Sequence, residues 1–136
     1  MTIKKVQSAG GIIFKDELVL LIKSKSRNTI SIPKGKAEFN ESLEETALRE
    51  VREETGYDTK IVSKIDSINF DFEKNGEMMN KTVTCFKLEL LNDSDPKPSL
   101  QEGEDFENIW VMPNEAVFLL TYDEEREVLK KAITQS

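Results

Sequence analysis

The sequence predicts a single α+β domain spanning residues 1–136, and three observations carry that prediction. Two β-rich runs, 4–15 and 18–23, are separated only by Asp16-Glu17 and read as a hairpin. Two longer β-rich runs, 61–72 and 81–91, flank Glu73-Lys74-Asn75-Gly76-Glu77, where Asn-Gly is a strong hairpin signal. Between the pairs, Ser42-Leu43-Glu44-Glu45 has the form of a capping box, so a helix begins there.

That helix continues through good helix formers, with Leu43, Ala47 and Val51 at intervals of four and Leu48 beside them, until Gly56 stops it. Its apolar stripe faces a core. Residues 92–104 are polar, contain Pro96 and Pro98, and read as a loop long enough to be a lid or binding loop. A strand passes through Trp110, and two helices follow, one over 114–120 and one beginning near Thr121. Thr121-Tyr122-Asp123-Glu124 reads as a second capping box, and Val128, Leu129, Ala132 and Ile133 form an apolar face that packs on the sheet.

Composition removes several function classes. With no histidine, histidine nucleophiles, histidine general bases and the usual zinc sets are absent, so catalytic work falls to carboxylates. A net charge of -7 argues against broad nucleic-acid binding, which needs a basic surface. The lone cysteine, Cys85, lies in a strand-like run and reads as a buried structural thiol. No apolar run has membrane-spanning length and the start, MTIKKVQSAGG, lacks a leader pattern, so a cytoplasmic protein is expected, as monomer or homodimer.

The most informative stretch is residues 35–57, in which Gly35, Glu41 and Arg49-Glu50-Val51-Arg52-Glu53-Glu54 are followed by Gly56 and Tyr57. Glu50, Glu53 and Glu54 stand at i, i+3 and i+4, so they converge on one side of the helix, bordering its apolar stripe. Like charges at that spacing repel, and beside buried surface they need compensation from arginines or from a hard cation. Mg²⁺ fits, with Mn²⁺ as a substitute, because hard ions prefer carboxylate, carbonyl and water oxygens and bridge to substrate phosphates. A solvated charged helix is the plain alternative in a chain that is 33% charged, with Arg49 simply facing Glu45 or Glu53. That alternative leaves unexplained the glycine at either end and the capping box between them.

This spacing resembles the signature of the Nudix hydrolases, matching at Gly35, Glu41, Arg49, Glu50, Val51, Glu53, Glu54 and Gly56 and departing only at Tyr57, where that family usually has an aliphatic residue. The segments 8–14 and 108–113 resemble the family's first core strand and its late strand entering a helix. The resemblance implies a mixed β-sheet sandwiched between helices and hydrolysis of a nucleoside diphosphate linked to a further group X. It implies metal ligation by Glu53 and Glu54, often with the Gly35 carbonyl, with Glu50 as a further ligand or the base that activates water. Arg49 is expected to orient these carboxylates through a salt bridge, with Glu41 as one partner.

Pro33-Lys34-Gly35 at the head of the run looks like the asymmetric diadenosine tetraphosphate hydrolases, where the lysine lies near the polyphosphate. Glu104, six residues before Trp110, stands where those enzymes carry a glutamate and is the candidate extra metal ligand, with Glu102 and Glu107 as competitors. Ile30 departs from that pattern, because those relatives commonly have a tryptophan there. Lys34, Lys36, Arg27 and Tyr57 are the candidate substrate contacts, and Phe72, Phe106 and Tyr122 join Tyr57 as possible partners for a base. A dinucleoside polyphosphate is the expected substrate; a nucleoside triphosphate, ADP-ribose and a non-catalytic nucleotide sensor are the alternatives.

Overall fold

The computed structural model describes residues 2–92 and 96–135. Asp16 and Glu17 both adopt positive φ, 48° and 68°, the left-handed pair that a two-residue hairpin turn requires. They join β1 (Lys4–Lys15) to β2 (Leu18–Ser24), with Phe14 opposite Val19. Two three-residue strands that the sequence pattern does not announce, β3 (Thr29–Ser31) and β4 (Lys34–Lys36), pair antiparallel with β2 and β1. They are too short to carry a period-2 signal.

Helix α1 (Leu43–Thr55) begins as its sequence dictates. The Ser42 hydroxyl accepts from the Glu45 N–H, and the Glu45 carboxylate accepts from the Ser42 N–H, so the capping box is complete. Gly56 ends the helix in the left-handed region at φ 85°, its N–H donating to the Arg52 carbonyl. β5 (Thr59–Lys74) and β6 (Glu77–Leu90) form a hairpin around Asn75-Gly76; β5 is longer at both ends than its apolar run, and β6 begins four residues earlier than its run and ends one residue short of it. β6 also runs parallel to β1, from Lys4 opposite Met79 to Ile13 opposite Leu88. β7 (Phe106–Val111) pairs antiparallel with β2, and α2 (Pro113–Leu119) and α3 (Asp123–Thr134) complete the described chain.

The seven strands form one mixed sheet in the order β3-β2-β1-β6-β5, with β4 added on β1 and β7 on β2. Alternation along the strands loads both faces. Ile12, Val19 and Leu21 pack with Val128, Leu129 and Ala132 of α3, whereas Ala9, Ile13 and Leu20 pack with Ala47 and Val51 of α1. Burying each aliphatic side chain of this size contributes about 1.5–3 kcal/mol, and this burial clamps a helix on each face. The sandwich is the architecture that the sequence predicts.

Two expectations need correction or completion. Thr121 does not cap α3: the helix starts after Tyr122 with no side-chain cap, and the Thr121 hydroxyl accepts instead from the Ile30 N–H at 2.8 Å. The Thr121 N–H donates to the Ile30 carbonyl, so this residue extends the β3 edge, and Asp123, Glu124 and Glu125 favour the helix start through the dipole. Of the predicted loop 92–104, residues 93–95 lie outside the described residues; residues 96–104 contain no helix or strand.

Cys85 is buried, and burial pushes its thiol up to about 12, as befits a packing residue. Among the described residues no helix is long and apolar enough to cross a membrane. Replacing Ser42 with Ala should cost about 1 kcal/mol by removing the cap, read as a lowered denaturation midpoint with unchanged slope.

Candidate active site

The site is built where β4 meets the last turns of α1. The Lys34 N–H donates to Glu54 Oε1 at 2.9 Å, tying the strand to the helix. Two glycines permit this close approach. A Cβ on Gly35 would stand 2.0 Å from the Glu50 carboxylate, and one on Gly10 of β1 would stand 2.1 Å from the Pro33 carbonyl oxygen. Residues 33–35 therefore thread between β1 and α1 with no room for a side chain at either contact.

Arg49 organises the acids around it. Its Nε and Nη2 donate to the two oxygens of Glu41 at 2.6 and 2.9 Å, while Nη1 donates to Glu50 at 2.7 Å and Glu53 at 3.2 Å. Nη2 also donates to the Lys36 carbonyl at 2.9 Å, so one guanidinium fixes α1, β4 and the intervening loop together. The pairing with Arg49, helped by the Thr46 hydroxyl and the Glu38 N–H, pulls the Glu41 carboxyl down to about 2, and raises Arg49 further above its usual value.

Beyond this hub opens an acidic cavity of about 520 Å³. Glu50, Glu54 and Glu104 line it together with Gly35, and Arg27 and Lys36 stand at its margin. Glu54 is only 6% exposed. Burial pushes its carboxyl up to about 8 against the opposing Lys34 N–H, with the charges of Glu50 and Glu104 adding to the rise. Glu50 is raised too, by burial and then by Glu53 and Glu104, with Arg49 opposing. Four acids, Glu38, Glu50, Glu54 and Glu104, face one cavity, and the buried Glu54 carboxylate accepts only the Lys34 N–H among the described residues, a donor set suited to a hard divalent cation. Among the described residues no three acids stand close enough together to form a coordination cluster as they are.

The sequence candidates separate clearly. Of the three acids near β7, only Glu104 lines the cavity; Glu102 and Glu107 are exposed. Glu53 is held by Arg49 at the margin and does not line the acidic cavity; its carbonyl accepts from the Ser99 N–H, anchoring the described part of the loop. Lys34 and Arg27 border the cavity, but Lys34 Nζ is paired with Glu125 at 2.7 Å and Arg27 lies over the Phe106 ring at 5.4 Å. Tyr57 is placed elsewhere: it is buried with Ala47 and Val51 and meets Trp110 edge-on, centroids 5.8 Å apart. Following Gly56 directly, it must turn into the core beneath α1, where an aromatic fills the space between helix and sheet.

A second cavity of about 350 Å³ adjoins the first and shares Arg27, Lys34, Gly35, Lys36 and Glu54 with it. Phe72, Phe106 and Tyr122 line this cavity, as do Lys74 and Lys81. Lys81 and Glu125 went unmarked by sequence pattern because a lone lysine in a strand and a lone glutamate in a helix carry no spacing signal.

A NUDIX domain model matches residues 4–132. The chain belongs to the Nudix family. It is 30% identical over 135 residues to the Mycobacterium tuberculosis protein named "Putative mutator protein MutT4", covering 92% of this chain and 53% of that one. It is 37% identical over 102 residues to a Bacillus subtilis ADP-ribose pyrophosphatase, covering 75% of this chain and 51% of that one. The Nudix chain thus spans about half the length of these curated relatives. In fold it is similar to the E. coli dihydroneopterin triphosphate pyrophosphohydrolase, with a TM-score of 0.78, 17% identity and coverage of 99% and 100% of the two chains.

The buried Glu54 makes a pH prediction for the metal-free protein. Its folded pKa, about 8, lies above the ordinary 4.5, so the stability it contributes is full below pH 4.5 and is lost as pH rises towards 8. In the presence of a chelator, Glu54→Gln should therefore raise the melting temperature at pH 8 and leave it nearly unchanged at pH 4.5. Equal shifts at both pH values would contradict this account.

Proposed function

We propose that this Nudix protein is a Mg²⁺-dependent hydrolase of a phosphoanhydride bond in a nucleoside diphosphate linked to X, with dinucleoside polyphosphates as the favoured class. One observation carries the reading: the acidic cavity of Glu50, Glu54 and Glu104 opens directly into a groove bordered by Arg27, Lys34 and Lys36. Acids to hold a cation stand beside cations to hold phosphates, as a polyanion and its counter-ion require.

The residues that would hold Mg²⁺ are Glu50, Glu54 and Glu104, with Glu53 and the Gly35 carbonyl completing the set; Mn²⁺ suits the same oxygens. The bound ion would neutralise phosphate oxygens and acidify a water. The protein's own part is positional. Arg49 keeps Glu50 and Glu53 at the edge of the cavity, and the Lys34 N–H fixes Glu54. A carboxylate among these not fully engaged by the cation takes the proton from water, a contribution typically worth about 10²–10⁴-fold. Arg27, Lys34 and Lys36 orient the phosphate chain.

Pro33-Lys34-Gly35 supports the dinucleoside class. A second reading, ADP-ribose or a nucleoside triphosphate as substrate, is favoured by the names of the relatives, one of which is an ADP-ribose pyrophosphatase. The nucleotide-sensor reading is disfavoured because Glu50, Glu53 and Glu54 are all retained.

A hydrolysis panel of dinucleoside polyphosphates, ADP-ribose and nucleoside triphosphates, with and without Mg²⁺, tests the class and ranks the substrates. Glu53→Gln should lower turnover by about 10²-fold or more while leaving the melting curve of the fold intact. Unaltered turnover in that variant would remove Glu53 from the mechanism, and a panel without any metal-dependent product would remove the hydrolase reading itself.

A further inference from the structure

Lys34 stands between two buried carboxylates and is bonded to both through different atoms. Its backbone N–H donates to Glu54 Oε1 at 2.9 Å, and its ammonium donates to Glu125 Oε2 at 2.7 Å. Glu54 on α1 and Glu125 on α3 are only 6% and 4% exposed. Glu54 makes no ion pair among the described residues, although Lys34 borders the acidic cavity that Glu54 lines. A lysine ammonium hangs on a flexible four-carbon stem, so it can fold back to a carboxylate that its own N–H touches. Two acids are thus within reach of one cation, and it is paired with Glu125.

What fixes that choice lies on α3. Glu125 Oε1 accepts from the Ile32 N–H at 2.7 Å, so the carboxylate is held in place independently of the lysine. It sits in the first turn of α3, where the helix dipole favours negative charge. Thr121, ahead of that helix, accepts from the Ile30 N–H and donates to the Ile30 carbonyl. Residues 30, 32 and 34, alternate positions along one stretch of chain, are therefore all bonded to the segment 121–125. The Lys34 ammonium also lies 5.8 Å from the centre of the Tyr122 ring, within cation–π range. Both contacts draw it toward α3 and away from Glu54. Glu124, the neighbouring acid, is exposed, so solvent screens whatever hold it exerts on Lys34.

We propose that Glu125 is a positioning residue for the metal site: by holding the Lys34 ammonium on the α3 side, it keeps Glu54 free to ligate a divalent cation. The inference rests on the proposed hydrolase reading, in which Glu54 is a metal ligand, and adds to it a residue that acts through Lys34. Without the Glu125 charge, a partly buried ammonium is left beside a buried carboxylate that has no counter-charge, and the two would pair. Their salt bridge would occupy the oxygens that the cation needs. The same contact stations Lys34 at the groove, so one ion pair keeps the phosphate-binding lysine apart from the cation-binding acid.

The test is a double-mutant cycle in which the affinity for Mn²⁺ alone is measured by electron paramagnetic resonance, without nucleotide and with melting curves to confirm folding. Glu125→Gln keeps an acceptor for the Ile32 N–H but removes the charge that holds Lys34, and should weaken Mn²⁺ binding about tenfold. In a Lys34→Met background the same change should alter the affinity by less than about twofold, because no ammonium is left to occupy Glu54. A loss of equal size in both backgrounds marks a merely structural role and overturns the inference, as does no loss in either. Glu125→Ala in the same two backgrounds replaces the amide variant if that one does not fold. A wild type that binds no Mn²⁺ removes the metal site itself, and the inference with it, whereas the other results bear on Glu125 alone.

Discussion

Glu54 is a carboxylate buried at the seam between α1 and β4, and the arrangement of the whole site depends on how that seam is closed. The helix docks through Ala47 and Val51, so the residues flanking that stripe are carried toward the sheet whether or not they are apolar. Glu54 is one of them. Its only hydrogen bond among the described residues is from the Lys34 N–H, which fixes the strand but leaves the negative charge uncompensated. A group in that position favours its neutral form until a cation arrives. Apolar docking therefore supplies the energy that keeps an ionisable oxygen aimed into the cavity.

The neighbouring acids are treated differently. Arg49 spreads its guanidinium over Glu41, Glu50, Glu53 and the Lys36 carbonyl, a task that needs a planar fork with several donors. A lysine would offer one point charge and would leave some of these acceptors unpaired. The strongest contact goes to Glu41, which lies outside the acidic cavity, so the arginine is anchored on one side and holds Glu50 and Glu53 on the other. The same division operates in the groove. Glu125 accepts from the Ile32 N–H and from Lys34, so α3 secures the chain entering β4 and fixes the Lys34 ammonium at the groove.

The helix containing most of the site was legible because its signals are local: the Ser42 capping box, the intervals of Leu43, Ala47 and Val51, and the Gly56 stop each depend on residues within a turn or two. The hairpins at Asp16-Glu17 and Asn75-Gly76 were legible for the same reason. Thr121 shows the limit of local reading. Its hydroxyl had two possible acceptor roles, capping α3 or pairing with Ile30, and the β3 edge took it because that edge lies beside Thr121 only in the folded chain. Tyr57 likewise follows the helix stop in sequence, yet the direction in which the chain leaves Gly56 sends its ring beneath α1.

By itself the sequence determined the family and the helix carrying Glu50, Glu53 and Glu54, because fixed spacing along a helix fixes which side chains are neighbours; the salt bridge from Arg49 to Glu41, which lies before the helix, was implied by the family resemblance. Only the tertiary structure decided that Glu104, and not Glu102 or Glu107, faces the acidic cavity, and that Glu53 sits at its margin. It also decided that Lys34 is paired with Glu125, 91 residues away, and that Lys81, Phe70 and Tyr122 border one compartment. These neighbours come from separate strands and helices, and their proximity is set by sheet order and helix docking, which no spacing within a single segment records.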